Sequence, residues 1–313
     1  MAKQRYAAVF VSPHLDDAVF SCAGEILRQT ARGPVLVLNV FTRYLADVKV
    51  RGVVLNAGRY EEEAAAARLL GYASHNFGEL DAVFRRAHYQ SIANIFRPPV
   101  TEDNTYLDDL RIRVFAFLES FDYEHLYLPL GVGWHVDHML THVLFQPWFR
   151  RAGLWFYEDA PYCHIPNATK YRLAELGAVP AMPEDQTLTP SGALHEWWQT
   201  SAGYADTALM RNLSPTLVRW GAVPVVSLYL WRLLTWHRAH KGQDAKLGLR
   251  PTVRPLAENL DRKVAAAMLY ASQFREFFAS RADFIGSHAR YAMQLGGTQG
   301  PVERYWQPGD VVR

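Results

Sequence analysis

Histidine and aspartate residues collect in two short stretches whose side chains are typical metal ligands. The first contains His14, Asp16 and Asp17, and the second, residues 135–138, reads His-Val-Asp-His. Imidazole nitrogens and carboxylate oxygens suit Zn²⁺ and similar divalent ions. His14 and Asp17 are three residues apart, so one turn at a helix start can direct both at one point. With one histidine of the second stretch they make three ligands, and catalytic zinc sites combine three protein ligands with an open fourth position.

Helix capping is the competing interpretation of the first stretch. Asp16 and Asp17 precede a helical pattern, and carboxylates at a helix N-terminus accept its free N–H groups and interact favourably with its dipole. Taken alone, the first stretch would be explained by capping more often than by a metal. The second stretch makes metal binding the better explanation. His142 is a rival ligand because it lies four residues after His138 on the same helix face, although a packed histidine is more common there.

The elements that position these residues are short apolar runs typical of buried parallel strands. Such runs end just before each stretch, and a helix with apolar residues at three- and four-residue spacing follows the first. Because ligands bind at the carboxyl ends of the strands in an open α/β sheet, both loops are expected at one edge. The predicted fold is α/β, Rossmann-like, with a mostly parallel sheet and helices on both faces. Strands are predicted at 7–11, 34–42, 126–130 and 153–157.

Composition and charge exclude several classes of protein. The 313 residues are 50% hydrophobic and carry a net charge of +2, too even to indicate nucleic-acid binding. Cys22 and Cys163 are too few for a disulfide framework, so a reducing cytoplasm is expected. No signal-peptide pattern precedes the first strand. No G-x-G-x-x-G follows it either, which argues against a dinucleotide site.

Three regions are predicted along the chain. Residues 1–177 form the α/β catalytic core, residues 178–256 a largely helical insertion or lid, and residues 257–313 C-terminal helices that pack back on the core. Within the lid, the apolar segment 217–236 approaches the ~20 residues that a bilayer needs. Its internal arginines and Pro224 argue against a transmembrane span. A cap over the site, a surface for homo-oligomers or a peripheral membrane contact stay open.

The paired motifs resemble a known family. Pro13-His14-Leu15-Asp16-Asp17 and His135-Val136-Asp137-His138 are similar to the motifs of the LmbE-like, or PIG-L, zinc-dependent deacetylases, which remove the acetyl group of N-acetylglucosamine-type amides. The resemblance covers about the first 160 residues and a closing helix at 263–273. It implies that His14, Asp17 and His138 bind zinc and that Asp16 is the general base. His135, protonated and oriented by Asp137, would stabilise the oxyanion.

The resemblance also suggests substrate-binding residues and partners. Arg59 and Asp81 would contact the sugar, and the strand-end pair Glu158 and Asp159 would line the pocket. A solvated loop is the alternative for Asp81, and loop hydrogen bonding is the alternative for the strand-end pair. The partner would be a small N-acetylated sugar conjugate. Fe²⁺ or another divalent ion would suit the same ligands as zinc.

Two other functions are compatible with the sequence. A zinc hydrolase could act on a non-sugar amide or an ester, because the metal chemistry is shared. A non-enzymatic membrane-associated protein could use residues 217–236, although the complete set of metal ligands argues against it. For the lid, aromatic residues such as Trp197 and Trp198 predict a cover that selects the substrate beyond its acetylated sugar. Packing of this region onto its own small core is the alternative.

Overall fold

Seven strands form one sheet in a computed structural model that describes residues 3–45, 58–178, 190–205, 224, 227–228, 230–232, 235, 247–297 and 300–309. The strand order is β3-β2-β1-β4-β5-β7-β6. Their bounds are β1 (Arg5–Ser12), β2 (Val35–Arg43), β3 (Ala73–Leu80), β4 (Asp122–Pro129), β5 (Leu154–Tyr157), β6 (Leu249–Pro255) and β7 (Val302–Pro308). Neighbours from β1 to β5 are parallel, whereas β7 is antiparallel to β5 and β6. The predicted mostly parallel α/β fold is confirmed.

Helices connect the parallel strands and flank the sheet. Within the described residues they are α1 (Asp17–Thr30), α2 (Arg59–Leu70), α3 (Ala82–Arg85), α4 (Ile92–Ile95), α5 (Glu102–Leu118), α6 (Val136–Leu144), α7 (Ala168–Glu175), α8 (Pro190–Ala205), α9 (Leu260–Leu269), α10 (Ala271–Phe277) and α11 (Arg281–Gln294). α1 contacts both α2 and α9, and α5 contacts α6. α1 forms because apolar residues recur at helical spacing, and residues such as Val19, Phe20 and Ile26 are fully buried.

The order of the strands places a crevice between β1 and β4. The chain runs outward from β1 to β2 and β3 and then returns to β4 on the other side of β1. Because parallel crossovers are right-handed, α1 and α2 lie on one face and α5 on the opposite face. The two loops that leave β1 and β4 therefore diverge at the reversal. Such a switch point is where open α/β sheets bind ligands, and both histidine–aspartate stretches lie there.

The strands that the sequence analysis did not predict lie in the outer part of the sheet. β3 is polar and mostly half-buried, because it is an edge strand paired only with β2. β6 lies inside 178–256, and β7 lies inside 257–313, so neither region is as purely helical as predicted. The predicted closing helix is two helices, α9 and α10, separated at Tyr270. The boundaries of the three regions stay a prediction.

The lid is described in part. Its helix α8 is described, whereas most of the apolar segment 217–236 lies outside the described residues. Leu230 and Trp197 pack with Trp134 and Met139, which belong to the loop and helix after β4. Among the described helices, none combines the length and the apolar character that crossing a membrane requires. The region thus contacts the segment that contains the second histidine–aspartate stretch.

Candidate metal centre

The loop after β1 is a tight turn held by its own hydrogen bonds. The His14 backbone N–H donates to Asp17 Oδ2 at 2.8 Å, and His14 Nδ1 lies 3.1 Å from the same oxygen. The Ala18 N–H donates to Ser12 Oγ at 3.0 Å. Asp16 occupies the N-cap position of α1, yet its side chain makes no capping hydrogen bond. Capping therefore does not explain Asp16.

His138 meets this turn from the loop after β4. Its Nε2 lies 3.2 Å from Asp17 Oδ2, so that one carboxylate oxygen lies within 3.2 Å of a ring nitrogen of each histidine. The His14 and His138 ring centroids are 5.5 Å apart, well within the ~10 Å beyond which a shared ion would be impossible. His14, Asp17 and His138 are 9%, 7% and 2% exposed. The structure brings the three predicted ligands together in a buried position.

Two groups of side chains can hold a metal ion in the described part of the chain. Ligand atoms of His14, His135 and His138 all lie within 4.8 Å of one another, and those of His14, Asp81 and Asp137 do so as well. His14 belongs to both groups and Asp17 to neither, so the predicted set of His14, Asp17 and His138 is not one of the two. A buried His/Asp group that can bind a metal is thus present. The predicted set supplies the imidazoles of His14 and His138 and the carboxylate of Asp17, and this combination of donors is typical of zinc sites.

The charges around this group favour a cation. Burial lowers the pKa of His138, but the charge of Asp17 and the hydrogen bond with Asp159 outweigh burial and raise the pKa to about 9. Burial also lowers the pKa of His14, but hydrogen bonds with Asp137 and Asp17 outweigh burial and raise this pKa above its usual value. Burial alone would raise the pKa of Asp17, yet the two histidines hold it well below its usual value. The carboxylates thus favour positive charge at this position, which a bound divalent ion would also supply.

His142, the rival ligand, does not belong to either group. Its Nδ1 lies 2.9 Å from the Pro129 carbonyl oxygen, and its ring packs on Phe149 and Phe156 at centroid distances of 4.9 Å and 5.2 Å. Burial, with a contribution from the charge of Arg172, lowers the pKa of His142 to about 3. These contacts and the low pKa fit a packed histidine that does not bind the ion.

Asp16 lies beside the ligands but faces Arg59. Arg59 Nη2 donates to Asp16 Oδ1 at 3.2 Å. Burial raises the pKa of Asp16, although the charge of Arg59 opposes this shift. Glu276 of α10 is a nearby acidic residue, and its pKa is raised by burial and by the charge of Asp16. Asp16 is therefore a buried carboxylate with a raised proton affinity next to the predicted metal ligands.

His135 and Asp137 differ from the prediction in their electrostatics. Burial and the neighbouring charges of His14 and His138 hold the pKa of His135 well below 6.5, so the predicted cationic form is disfavoured. The Asp137 backbone N–H donates to His135 Nδ1 at 3.3 Å, which leaves the proton of the neutral ring on Nε2. His135 is therefore oriented by the backbone of Asp137, and it is a neutral donor.

The carboxylate of Asp137 has other partners. Its Oδ1 accepts a hydrogen bond from Arg85 at 2.7 Å, and its Oδ2 accepts one from the Ala82 N–H at 2.9 Å and lies 3.1 Å from His14 Nε2. Burial raises the pKa of Asp137, but the charge of Arg85 and the hydrogen bond with His14 outweigh burial and lower it. Asp137 thus contacts the first predicted ligand through its side chain.

Asp81 lies at the same edge. It is the N-cap of α3, where its side chain accepts a hydrogen bond from the Val83 N–H at 3.2 Å. Its Oδ2 lies 3.6 Å from His14 Nε2, and the side chain remains 23% exposed. Asp81 therefore caps α3 and also lies at the rim of the site. Contact of Asp81 and Arg59 with the substrate stays a prediction.

The strand-end pair does not fit the predicted substrate role. Glu158 is buried and accepts hydrogen bonds from Thr169, Tyr291, Arg304 and Trp306. These bonds occupy it in a network of the C-terminal elements. Asp159 is fully buried too, and it contacts His138 and the loop after β4. Both carboxylates are buried and hydrogen-bonded within the protein, which fits the alternative of loop hydrogen bonding better than substrate contact.

Several residues near the site were missed by the sequence analysis. Nothing in the sequence indicated that Arg85 lies near the site, because two adjacent arginines in a short polar segment are usually solvated. Phe96 and Tyr162 pack against His135 and His138 at centroid distances of 5.9 Å and 6.0 Å. Tyr162 reaches His138 because Gly133 has no side chain: a Cβ there would lie 2.3 Å from Tyr162 Cγ. A glycine next to a histidine motif is the signal that could have indicated this close approach.

Comparison with known proteins gives a family match and several similar proteins. Residues 9–149 match the family model described as PIG-L, GlcNAc-PI de-N-acetylase. The match includes both histidine–aspartate stretches, the second half of β1 and all of β2, β3 and β4.

Curated relatives are similar over about half of this chain. It is 29% identical over 167 residues to 2'-N-acetylparomamine deacetylase of Streptomyces fradiae, covering 51% of this chain and 58% of that protein. It is 26% identical over 199 residues to 2'-N-acetylparomamine deacetylase of Niallia circulans, covering 53% and 71%.

Solved structures share the fold over nearly the whole length. A deacetylase–teicoplanin complex has a TM-score of 0.59 at 18% identity, covering 98% of this chain and 100% of that one. The zinc inhibited form of a teicoplanin deacetylase has a TM-score of 0.58 at 17% identity, covering 98% and 99%. At this identity the likeness establishes the fold.

Proposed function

We propose that this chain is a zinc-dependent hydrolase that removes the acetyl group from an N-acetylated amino sugar carried on a larger molecule. The observation that carries the proposal is the single oxygen, Asp17 Oδ2, that lies within 3.2 Å of both His14 Nδ1 and His138 Nε2, with Asp16 left beside it. The match of residues 9–149 to the PIG-L family model and the named activity of the curated relatives support the same reaction.

His14, Asp17 and His138 are the residues that would hold the ion. These residues supply three donors, two imidazoles and one carboxylate, and a catalytic zinc site has three protein ligands and a fourth position for water or substrate. When bound, zinc would polarise the acetyl carbonyl and make water acidic enough to react near neutral pH. Fe²⁺ or another divalent ion would suit the same donors.

Asp16 is the general base of this proposal. A carboxylate with a raised pKa accepts a proton more readily than an ordinary aspartate and can return it to the leaving amine. Its contact with Arg59 through Oδ1 fixes its orientation. The proton taken from water is therefore held at an oxygen of Asp16 and then transferred to the amine as the C–N bond breaks.

His135 stabilises the negative charge that develops on the acetyl oxygen. Because its Nδ1 accepts the Asp137 N–H, the neutral ring presents Nε2–H as a donor. A neutral donor fixed in advance stabilises an oxyanion without reorganisation during the reaction. This assignment replaces the cationic histidine of the sequence-based prediction.

The substrate would be read by the rim of the site and by the lid. Arg59 and Asp81 are the partly exposed groups nearest Asp16 and His14, and their charges suit sugar hydroxyls. The part of the conjugate beyond the sugar would meet the lid, whose Trp197 and Leu230 pack on Trp134. Both cysteines are free and buried, in keeping with a reaction in the reducing cytoplasm.

The test is release of acetate from a panel of substrates with added zinc. The panel contains N-acetylglucosamine, an N-acetylated aminoglycoside, an N-acetylglucosaminyl conjugate, a peptide amide and an ester. We expect turnover of the N-acetyl sugars, and we expect Asp16→Asn to lower kcat by about 10²- to 10⁴-fold while zinc binding is unchanged. Turnover of the peptide or ester alone would support a different zinc hydrolase, and an unaffected Asp16→Asn would remove this base from the mechanism.

A further inference from the structure

Asp159 is a fully buried carboxylate whose two oxygens have separate partners. Its Oδ1 lies 2.7 Å from His138 Nδ1. Its Oδ2 accepts hydrogen bonds from the N–H groups of Gly131 and Val132, both at 2.8 Å. One side chain after β5 therefore joins a predicted metal ligand to the loop that carries it.

The contact with Nδ1 determines which ring nitrogen of His138 is available. A carboxylate is only an acceptor when ionised, so Nδ1 of His138 carries a proton beside Asp159 both in the cationic ring and in the neutral ring that a metal ion would require. Nε2 then keeps its lone pair, and it is Nε2 that lies 3.2 Å from Asp17 Oδ2. The carboxylate selects the tautomer and the ring orientation that a metal ligand needs.

The contacts with Gly131 and Val132 hold the loop in place. Gly131 has φ of +80°, a conformation that glycine adopts without strain, and the Leu130 carbonyl just before it accepts a hydrogen bond from Arg172 Nε at 2.9 Å. The loop between β4 and α6 is thus fixed from β5 and from α7. His138 lies in the first turn of α6, directly after this loop, so the contacts that fix the loop also fix the position of His138.

We infer that Asp159 is a positioning residue for metal binding, which presents Nε2 of His138 to the ion and holds the loop after β4 against β5. The inference rests on the proposed metal site and adds to it a residue outside both histidine–aspartate stretches. Carboxylates behind a metal-bound histidine raise its basicity, and their loss typically weakens metal binding by about 10- to 100-fold.

Glu158 provides a matched control because it is the adjacent residue and is equally buried. Its oxygens accept hydrogen bonds from Arg304 Nε at 2.5 Å and from Trp306 Nε1 at 2.8 Å, in the network of the C-terminal elements. Glu158→Gln and Asp159→Asn each remove one buried charge without changing the size of the side chain. A general loss of stability would follow from either substitution, whereas only the second reaches His138.

The experiment measures the zinc dissociation constant of the full chain by competition with a chromophoric chelator, which needs no substrate. We expect Asp159→Asn to raise this constant about 10- to 100-fold and Glu158→Gln to leave it within about twofold of the unmodified protein. Equal weakening by both variants, or none by Asp159→Asn, would overturn the inference. Failure of the unmodified protein to bind zinc would instead contradict the proposed metal site.

A second measurement does not depend on any variant at Asp159. In the zinc-bound unmodified protein, ¹⁵N NMR of labelled histidines should show His138 with a protonated Nδ1 and a metal-bound Nε2, assigned by the signals missing from His138→Gln. A metal-bound Nδ1 would contradict the inference even if Asp159→Asn failed to fold.

Discussion

Arg85 is expected to stabilise the protein through the charge of Asp137. The two side chains are 6% and 0% exposed, and Arg85 Nη2 lies 2.7 Å from Asp137 Oδ1. At an effective dielectric constant of about 20, two unit charges 2.7 Å apart attract by about 6 kcal/mol, which partly offsets the cost of burying them. Removing Arg85 leaves a buried charge whose remaining contacts include the Ala82 N–H and His14. Such losses destabilise proteins by about 3–5 kcal/mol.

The perturbation is Arg85→Met, and the assay is thermal unfolding followed by tryptophan fluorescence. At about 2–4 °C per kcal/mol, the Tm should fall by at least about 6 °C. The control is Arg113→Met, which breaks an ion pair of similar length, 2.6 Å to Glu79, at a side chain that is 42% exposed. Exposed pairs contribute about 0–1 kcal/mol, so this Tm should fall by no more than about 4 °C.

A double variant separates charge from packing. Arg85 also packs over Phe41 and Tyr106, and these contacts are lost in Arg85→Met whatever happens to Asp137. If the unpaired charge is the main cost, adding Asp137→Asn should restore part of the stability, with a coupling of at least about 1 kcal/mol. The reasoning is refuted if Arg85→Met is no worse than Arg113→Met, or if the second substitution restores nothing.

Two further predictions concern a glycine and a buried histidine. Gly133→Ala should lower the Tm and the turnover together, because its Cβ would lie 2.3 Å from Tyr162, which packs beside His138. Gly71→Ala is the control, because Gly71 has φ of +82° and nothing within 4 Å of its Cβ position. This substitution should cost only about 1 kcal/mol of backbone strain and should leave the turnover unchanged. His142 has a pKa of about 3 against about 6.5 when unfolded, so the unfolded chain binds its proton first and stability falls as the pH drops from 6.5 towards 3. At pH 5 this amounts to about 2 kcal/mol, and His142→Phe should reduce the difference in urea unfolding free energy between pH 7 and pH 5 by that amount; an unchanged difference would contradict the low pKa.

Local sequence patterns were sufficient for the parallel half of the sheet. Apolar runs at 7–11, 34–42, 126–130 and 153–157 overlap β1, β2, β4 and β5 to within one residue at the ends of the runs, because buried parallel strands need continuous apolar residues. β3 and β6 were not predicted, since edge strands have one strand partner each and their residues are largely polar or exposed. Pairing of β7 with β5 joins residues about 150 positions apart, which no local pattern encodes.

The sequence by itself determined the chemistry available at the site. His14, Asp16 and Asp17 follow one strand, His135, Asp137 and His138 follow another, and two neighbouring parallel strands must end at the same edge. A strand, a loop and a helix start are each set by residues close together in the chain. Their types and spacing therefore predicted which side chains would meet.

Only the tertiary structure decided how each side chain is used. His138 and His142 share a helix face, and packing against Phe149 and Phe156 leaves only His138 within reach of Asp17. Glu158 and Asp159 are adjacent, yet one joins the C-terminal network and the other contacts His138. These outcomes depend on which residues from distant parts of the chain surround each side chain, because burial and unlike partners set the pKa, the tautomer and the orientation of every group.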